Sequence, residues 1–276
     1  MSAIAITGIT GGLGQETLKY LSTFAPASVR IVGITRNLAS LTNPDPRVEY
    51  RSAFAGVGKA LIISTSSFDN EERIRQHKNA IDAAVKAQVR RVYYTSLAFN
   101  GHEDSTVSHL QELHVDTESY IKAYLKNEQF TDEMSNSGLE YTIIREGLYS
   151  EAFPIWLAWF PKTKNIAIPR DGPVAWAARP EIAEGTARLL PADTHKNSIA
   201  LFTEPTAITL RQVTEVISEI LSVEQYISNA VQNAKKDEEF IRNWATSFRA
   251  MEIGERRAWW IRSWRSCWGG CQERGC

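Results

Sequence analysis

A short apolar run near the start of the chain leads directly into a glycine-rich turn. The run Ala3–Thr7 is typical of a β-strand, and residues Gly8–Gly14 have a G-x-x-G-x-x-G spacing. A helical pattern follows through Leu18 and Leu21 and stops before Pro26. Such glycines allow a tight turn, close approach of a pyrophosphate and close helix–strand packing. The pattern predicts a dinucleotide site at the helix N-terminus; the alternative is that the glycines only form a turn.

The second predicted strand indicates which dinucleotide is preferred. It runs over Val29–Ile34 and is followed by Thr35, Arg36 and Asn37. A chain that binds NAD is expected to carry an acidic residue here, about twenty residues beyond the glycines, for the ribose 2′-hydroxyl. Arg36 is instead a planar cation suited to a 2′-phosphate. This favours NADP(H) over NAD(H), with a solvated surface arginine as the alternative.

Strands and helices alternate through the middle of the chain, which predicts an α/β fold with a doubly wound parallel sheet of the Rossmann type. Ligands of such sheets bind beyond the carboxyl ends of the strands. Three hydroxyl-containing segments fall at those predicted ends, namely Ser64–Ser67, Thr95–Ser96 and Gly147–Ser150. We therefore expect these segments to lie around the ligand.

The connection between the third and fourth predicted strands is unusually short. Val48–Tyr50 and Lys59–Ser64 have strand character, and only residues 51–58 lie between them. A parallel crossover normally needs about a dozen residues, usually with a helix. Either a covering helix is missing or the third strand is not in its usual place. Loss of that helix is expected to expose one face of the sheet.

The composition excludes several classes of protein. The net charge is −1, from 31 Lys and Arg against 32 Asp and Glu, so no basic field is available for a nucleic acid. Hydrophobic residues make up 43% of the chain, enough for a sizeable core, and no apolar stretch has the length of a membrane span. The three cysteines, Cys267, Cys271 and Cys276, lack the pattern of a zinc site. We therefore expect no metal, no disulfide framework and a cytoplasmic location.

Six blocks of sequence, in the same order, carry a resemblance to a known family. The blocks are Thr7–Gly14, Leu61–Ser66, Gln76–Ala84, Tyr94–Leu97, His114–Glu118 and Tyr141–Glu151. They resemble the NmrA-like atypical short-chain dehydrogenases, and within that family the NADPH-dependent type-2 quinone oxidoreductases. Fungal relatives include tailoring enzymes of aromatic polyketide pathways, among them those that make sterigmatocystin and aflatoxin. The resemblance spans about Ala3 to Leu221.

The resemblance implies an NADPH-dependent oxidoreductase that acts on a quinone or an aromatic polyketide ketone, in a fungal secondary-metabolite pathway of the mycotoxin type. The family also includes regulators without activity, so a non-catalytic NADP(H) sensor that binds a partner protein is the alternative. The implied cofactor-binding residues are Gly8, Thr10, Gly11, Gly12, Leu13, Gly14, Arg36, Ser64, Thr65, Ser66, Thr95 and Ser96.

A substrate cleft between Thr95–Ser96, His114 and the Gly147–Ser150 turn is also implied. His114 and Tyr149 are the candidate catalytic residues, because both side chains can donate a hydrogen bond to a quinone or ketone oxygen. The alternatives are a packed or solvated His114 and a Tyr149 that serves only as an aromatic wall. The Tyr-x-x-x-Lys pair of classical short-chain dehydrogenases is absent from the sequence, as in this atypical branch.

Three parts of the chain are predicted. Residues 1–150 form the dinucleotide-binding domain and 151–253 a smaller substrate lobe, while 254–276 are an atypical tail rich in tryptophan and cysteine, with no assigned function. The aromatic segment Phe153–Pro161 suits a flat aromatic substrate, or is a lid that packs on its own core. The expected partner is a small aromatic molecule, and the oligomeric state is open, with a homodimer among the alternatives.

Overall fold

The computed structural model describes residues 3–41, 44–65, 67, 69–98, 116–122, 138–157 and 168–221. These residues fall into two compact units. The first comprises the described residues within Met1–Lys164 and Ala175–Glu204, and the second those within Asn165–Val174 and Pro205–Cys276. The predicted tail, 254–276, lies outside the described residues.

The first unit is built on a sheet of seven parallel strands. The strands of the structure are β1 (Ala3–Ile6), β2 (Arg30–Ile34), β3 (Val48–Arg51), β4 (Lys59–Ile62), β5 (Arg91–Leu97), β6 (Glu140–Glu146), β7 (Leu148–Tyr149), β8 (Trp176–Ala177) and β9 (Ser198–Phe202). The large sheet has the order β3-β2-β1-β4-β5-β6-β9, and β7 pairs with β8 separately. The predicted doubly wound sheet is confirmed, and its strand order reverses between β1 and β4, where such folds bind ligands.

Helices cover both faces of this sheet. The helices of the first unit are α1 (Gly12–Phe24), α2 (Asn70–Lys86), α3 (116–122), α4 (Phe153–Trp156) and α5 (Arg179–Leu189), and α6 (Leu210–Leu221) belongs to the second unit. Because side chains alternate along a strand, Ile4 and Ile6 of β1 pack with α1 and α5, whereas Ala3 and Ala5 pack with α2 and α3. Among the described helices, none has the length and apolar character needed to cross a bilayer.

The short connection between β3 and β4 contains no helix, and β3 nevertheless lies in the usual place beside β2. Phe54 and Val57 in this connection are buried and pack in the same apolar cluster as Ala3 and Val32 of the sheet. The expectation that the short crossover exposes a face of the sheet is wrong at these strands, because Ala3 and Val32 are 1% and 0% exposed. These two apolar side chains of the connection thus cover the part of the sheet that a helix normally covers.

The second unit is held together at the start of α6. Val174 and Ile208 exchange two backbone hydrogen bonds, each of 3.0 Å. Thr209 Oγ1 accepts from the N–H of Gln212, and Gln212 Oε1 accepts from the N–H of Thr209, which is the reciprocal pattern of a capping box. The Asp171 carboxylate accepts from two further N–H groups of the first turn, so this helix start is well satisfied.

Candidate cofactor and active site

The turn between β1 and α1 has a backbone shape that requires glycine at two positions. Gly8 has a φ of +66°, in the left-handed region that other residues rarely adopt. A Cβ on Gly14 would lie 2.2 Å from the carbonyl oxygen of Gly8, so a larger residue would push the helix away from the turn. The N–H of Gly11 donates to the same oxygen at 3.0 Å and closes the turn.

The N-terminus of α1 presents backbone donors. Gly11 is the N-cap residue and has no side chain that could accept from the first helical turn. Within the described part of the chain, the N–H groups of Gly12, Leu13 and Gly14 have no acceptor. These donors and the positive end of the helix dipole suit a pyrophosphate, so the residues present fit a dinucleotide.

Arg36 lies just beyond β2, at the carboxyl edge of the sheet, and its side chain is exposed. Hydrogen bonds from Gln76 and Arg75 lower the pKa of Glu72, and the nearby charge of Arg36 lowers it further. Arg36 itself makes no hydrogen bond or ion pair with the residues that the structure describes. Its guanidinium is therefore available to a phosphate at the end of β2.

The segment after β4 is held by side chains of three other elements. The N–H groups of Ile63, Ser64 and Thr65 donate to Thr7 Oγ1 (3.0 Å), Thr95 Oγ1 (2.8 Å) and His77 Nε2 (3.2 Å), respectively. The structure thus brings the predicted residues Ser64, Thr65 and Thr95 together, whereas Ser66 lies outside the described residues.

His77 of α2, which contacts this segment, was not singled out by sequence reasoning. It is 2% exposed, its Nε2 accepts from Thr65, and its Nδ1 lies 3.1 Å from Thr117 Oγ1. An imidazole nitrogen that accepts a hydrogen bond is unprotonated, so this contact requires the neutral ring. The signal was the helical spacing of His77 with Ile81 and Ala84, which marks it as part of the buried face of α2.

The Ser96 hydroxyl forms a hydrogen bond with a buried ion pair. Its hydroxyl donates to Glu118 Oε1 at 2.6 Å, and Arg145 of β6 binds both carboxylate oxygens, at 3.1 and 2.9 Å. Burial raises the pKa of Glu118, but the hydrogen bonds from Arg145 and Ser96 outweigh it, so the pKa is lowered overall. In this arrangement the Ser96 hydroxyl connects β5 to α3.

Tyr149 and Glu146 form a second buried polar pair. The Tyr149 hydroxyl donates to Glu146 Oε2 at 2.6 Å, and Glu146 is 3% exposed. Burial raises the pKa of Glu146 to about 8, and burial together with the neighbouring Glu146 raises the pKa of Tyr149 above its ordinary value. Glu146 was not predicted as a site residue, because in the sequence it reads only as the end of a buried strand.

Arg179 at the start of α5 lies between the glycine turn and Tyr149. Its Nη1 would be 2.4 Å from a Cβ on Gly12, and its guanidinium carbon is 5.9 Å from the centre of the Tyr149 ring. Tyr149 also packs in one apolar cluster with Leu13 and Ile63. The predicted catalytic tyrosine therefore lies beside the glycine turn. Sequence reasoning missed Arg179 because the contact joins residues far apart in the chain.

The remaining predicted residues are only partly described. His114, the other catalytic candidate, lies outside the described residues, as does the part of the aromatic segment beyond Leu157. Within the described part, the Phe153 ring packs edge-on against Trp176, with 4.6 Å between centroids. Trp156 is also close to Trp176 but is 40% exposed. The described part of this segment thus packs partly against Trp176 and is partly exposed to solvent.

Three comparisons with known proteins agree with this geometry. A family model described as NAD(P)H-binding matches residues 8–155. The chain is 37% identical over 228 residues to the NmrA-like family domain-containing oxidoreductase flvB of Aspergillus flavus, covering 78% of this chain and 70% of that protein. It is 33% identical over 226 residues to quinone oxidoreductase 2 of Escherichia coli, covering 76% and 71%. The Citrobacter sp. triphenylmethane reductase, solved with NADP(H), is similar with a TM-score of 0.65 at 28% identity, covering 92% and 90% of the two chains.

Proposed function

Because the chain belongs to the NmrA-like family of NAD(P)H-dependent oxidoreductases, we propose that it uses NADPH to reduce a quinone or the ketone of an aromatic polyketide. The observation that carries the proposal is the α1 N-terminus, with three backbone donors available for a pyrophosphate, followed by Arg36 where an acidic residue would favour NAD. A step in fungal secondary metabolism is proposed from the resemblance to tailoring enzymes of aromatic polyketide pathways, and the Aspergillus flavus oxidoreductase is a fungal protein of the same family.

When bound, the reduced nicotinamide supplies the hydride. The residues of the chain would bind and orient the cofactor: the N–H groups of Gly12–Gly14 would bind the pyrophosphate, Arg36 would bind the 2′-phosphate, and the Ser64–Thr65 segment would hold the nicotinamide ribose. Thr95 acts by holding that segment through its 2.8 Å hydrogen bond to Ser64. Tyr149 is the proposed proton donor to the substrate oxygen, and His114 is the other candidate.

A non-catalytic sensor that binds a partner protein is the less favoured function. An exposed apolar patch where the crossover helix is missing would favour this function. Phe54 and Val57 are 6% and 3% exposed and cover that position in the sheet, so these residues do not form such a patch.

The first experiment is a fluorescence titration of the purified protein with NADPH and NADH, for wild type and Arg36→Ala. We expect NADPH to bind more tightly than NADH, and Arg36→Ala to weaken NADPH binding by about 10- to 100-fold with little effect on NADH, because charge-assisted hydrogen bonds to the 2′-phosphate are lost. Menadione reduction with NADPH would then be measured by the loss of NADPH absorbance.

Arg30→Ala is the matched control. Arg30 lies at the amino end of the same strand and makes an exposed ion pair with Glu49 at 2.6 Å, so its loss should leave nucleotide binding unchanged. Failure of wild type to bind either nucleotide would contradict the proposal, as would equal losses in the two variants. Tight NADPH binding with no turnover of quinones or aromatic ketones would favour the sensor.

A further inference from the structure

The carboxyl group of Glu146 is buried beside Tyr149 and has no role in the proposed reaction as described so far. Glu146 ends β6, where its neighbours in the sheet are Leu97 of β5 and Phe202 of β9. It is 3% exposed, and within the described residues its Oε1 has no hydrogen-bond partner. Its Oε2 accepts from the Tyr149 hydroxyl at 2.6 Å. Among the described residues, the Glu146 carboxyl group thus forms a hydrogen bond with one side chain, that of Tyr149, which is the proposed proton donor.

The ionised form of the Glu146 side chain is energetically unfavourable in this position. The neighbouring Arg145 points to Glu118 on the other side of β6, so it does not neutralise Glu146. Within the described part of the chain, the other charged groups that act on Tyr149 are Arg179, which lies over the Tyr149 ring, and Glu151, whose carboxylate lies 3.6 Å from Arg179 Nε. Burial without a cation raises the pKa of Glu146 to about 8, so the group holds a proton at neutral pH.

Tyr149 needs such a partner if it is to release a proton. Burial raises the pKa of Tyr149, and the adjacent Glu146 raises it further, so an isolated phenolate here would be strongly disfavoured. A protonated Glu146 can instead donate from Oε2 to the Tyr149 oxygen, which turns the phenol O–H toward another acceptor. The 2.6 Å separation of the two oxygens is short enough for direct proton transfer.

We propose that Glu146 stores the proton that Tyr149 passes to the substrate during reduction. The proposal rests on the proposed function, and it makes Glu146 a positioning and proton-storing residue that acts through Tyr149. For a quinone, the hydride leaves an oxyanion on the substrate. The Tyr149 O–H bond breaks as its proton moves to that oxygen, and the Glu146 proton moves to the Tyr149 oxygen. The remaining Glu146 carboxylate takes a proton from water, so each turnover forms one hydroquinone and consumes one solvent proton.

The test compares Glu146→Gln with wild type in two measurements. In the first, infrared difference spectra of the protein without nucleotide follow the carbonyl band of a protonated carboxylic acid. Glu181, whose pKa is raised to about 7 by burial and by the neighbouring Glu204, gives a similar band in both proteins, so the Glu146 band is taken from the difference between wild type and Glu146→Gln. We expect this difference band to be present at neutral pH and to disappear as the pH rises through about 8. Absence of this difference band at neutral pH would overturn the proposal, whether or not the protein is an enzyme.

The second measurement is the pH profile of kcat for menadione at saturating NADPH. Wild-type kcat should fall above a pH of about 8. The kcat of Glu146→Gln should be lower by about 100-fold or more and should not show this fall at high pH. Glu146→Asp, which restores a carboxyl group, should recover part of kcat and should again show the fall of kcat at high pH. Tyr149→Phe should lose activity but keep the infrared band.

A structural role alone predicts a different set of results. If Glu146 only anchors Tyr149, then Glu146→Gln, whose amide oxygen can still accept from the phenol, should keep most of kcat and the same fall of kcat at high pH. That result would overturn the proposal. NADPH affinity and the circular dichroism spectrum should be unchanged in Glu146→Gln. If wild type shows the band but reduces no quinone or ketone, the proposed function fails, and with it the role of Glu146 in substrate reduction.

Discussion

Gly14 shows at the scale of one residue why the glycine motif constrains the fold. Gly14 has no Cβ, and a Cβ added there would lie 2.2 Å from Gly8 O and 2.7 Å from the Gly8 carbonyl carbon. Both contacts are with backbone, which cannot move aside as a side chain can. The glycine at this position is therefore required for the packing of α1 on β1, independently of any ligand.

Gly14→Ala is accordingly expected to destabilise the ligand-free protein by about 1–3 kcal/mol, the usual cost of overpacking. Chemical denaturation monitored by circular dichroism measures the change. Gly172→Ala is the control, because a Cβ there meets nothing within 4 Å and should leave the free energy of unfolding nearly unchanged. Equal stability of the Gly14→Ala protein and wild type would contradict the steric argument.

At the scale of elements, one buried ion pair joins β5, α3 and β6. Glu118 of α3 is bound by Arg145 of β6 and by the Ser96 hydroxyl of β5, and Glu118 is 3% exposed. Lys122 adds a more distant and more exposed charge, with 3.5 Å between Nζ and Glu118 Oε2. The pair fixes α3 against the carboxyl ends of two central strands, next to the proposed site.

Arg145→Met is expected to cost about 3–5 kcal/mol, because it leaves the Glu118 carboxylate buried without its main partner. The pKa of Glu118 is lowered in the fold, so its contribution to stability is present above the ordinary carboxyl pKa and is lost as the pH falls through the folded pKa. Urea unfolding at neutral and acidic pH should show the difference between variant and wild type shrinking with acidification. Arg30→Met, which breaks the exposed pair with Glu49, should cost less than about 1 kcal/mol. Equal losses in the two variants would contradict the assignment.

At the scale of the whole molecule, the proposed cofactor contacts come from several elements of the first unit. The β1–α1 turn, the end of β2 and the segment after β4 are separate in sequence and are joined mainly through the parallel sheet. A ligand that binds all of them binds only the folded chain. Cofactor binding should therefore be coupled to global stability.

Saturating NADPH is expected to stabilise the protein by about 2.7 kcal/mol at a concentration of 100 times Kd, and NADH at the same concentration by clearly less. Thermal unfolding followed by differential scanning fluorimetry gives this difference as an increase in Tm. In Arg36→Ala the two nucleotides should give similar, smaller increases. No increase with either nucleotide, or a larger one with NADH, would contradict the assignment of Arg36 to the 2′-phosphate.

The sequence by itself determined the features that depend on neighbours along the chain. The β1–turn–α1 unit, the position of Arg36 after β2 and the capping box at Thr209–Gln212 all follow from spacing within a few residues, and the structure contains each of them. The parallel sheet also followed, because alternating strands and helices pack in few ways.

Only the tertiary structure decided which distant side chains meet and which of them are buried. Phe54 covers the sheet where a helix was expected, Ser96 turns to Glu118, and Arg179 reaches the glycine turn from the start of α5. Glu146 differs from a solvated glutamate through its burial beside Tyr149, which raises the pKa of its carboxyl. Burial and contacts of this kind depend on the packing of all elements together, so a local sequence pattern does not contain them.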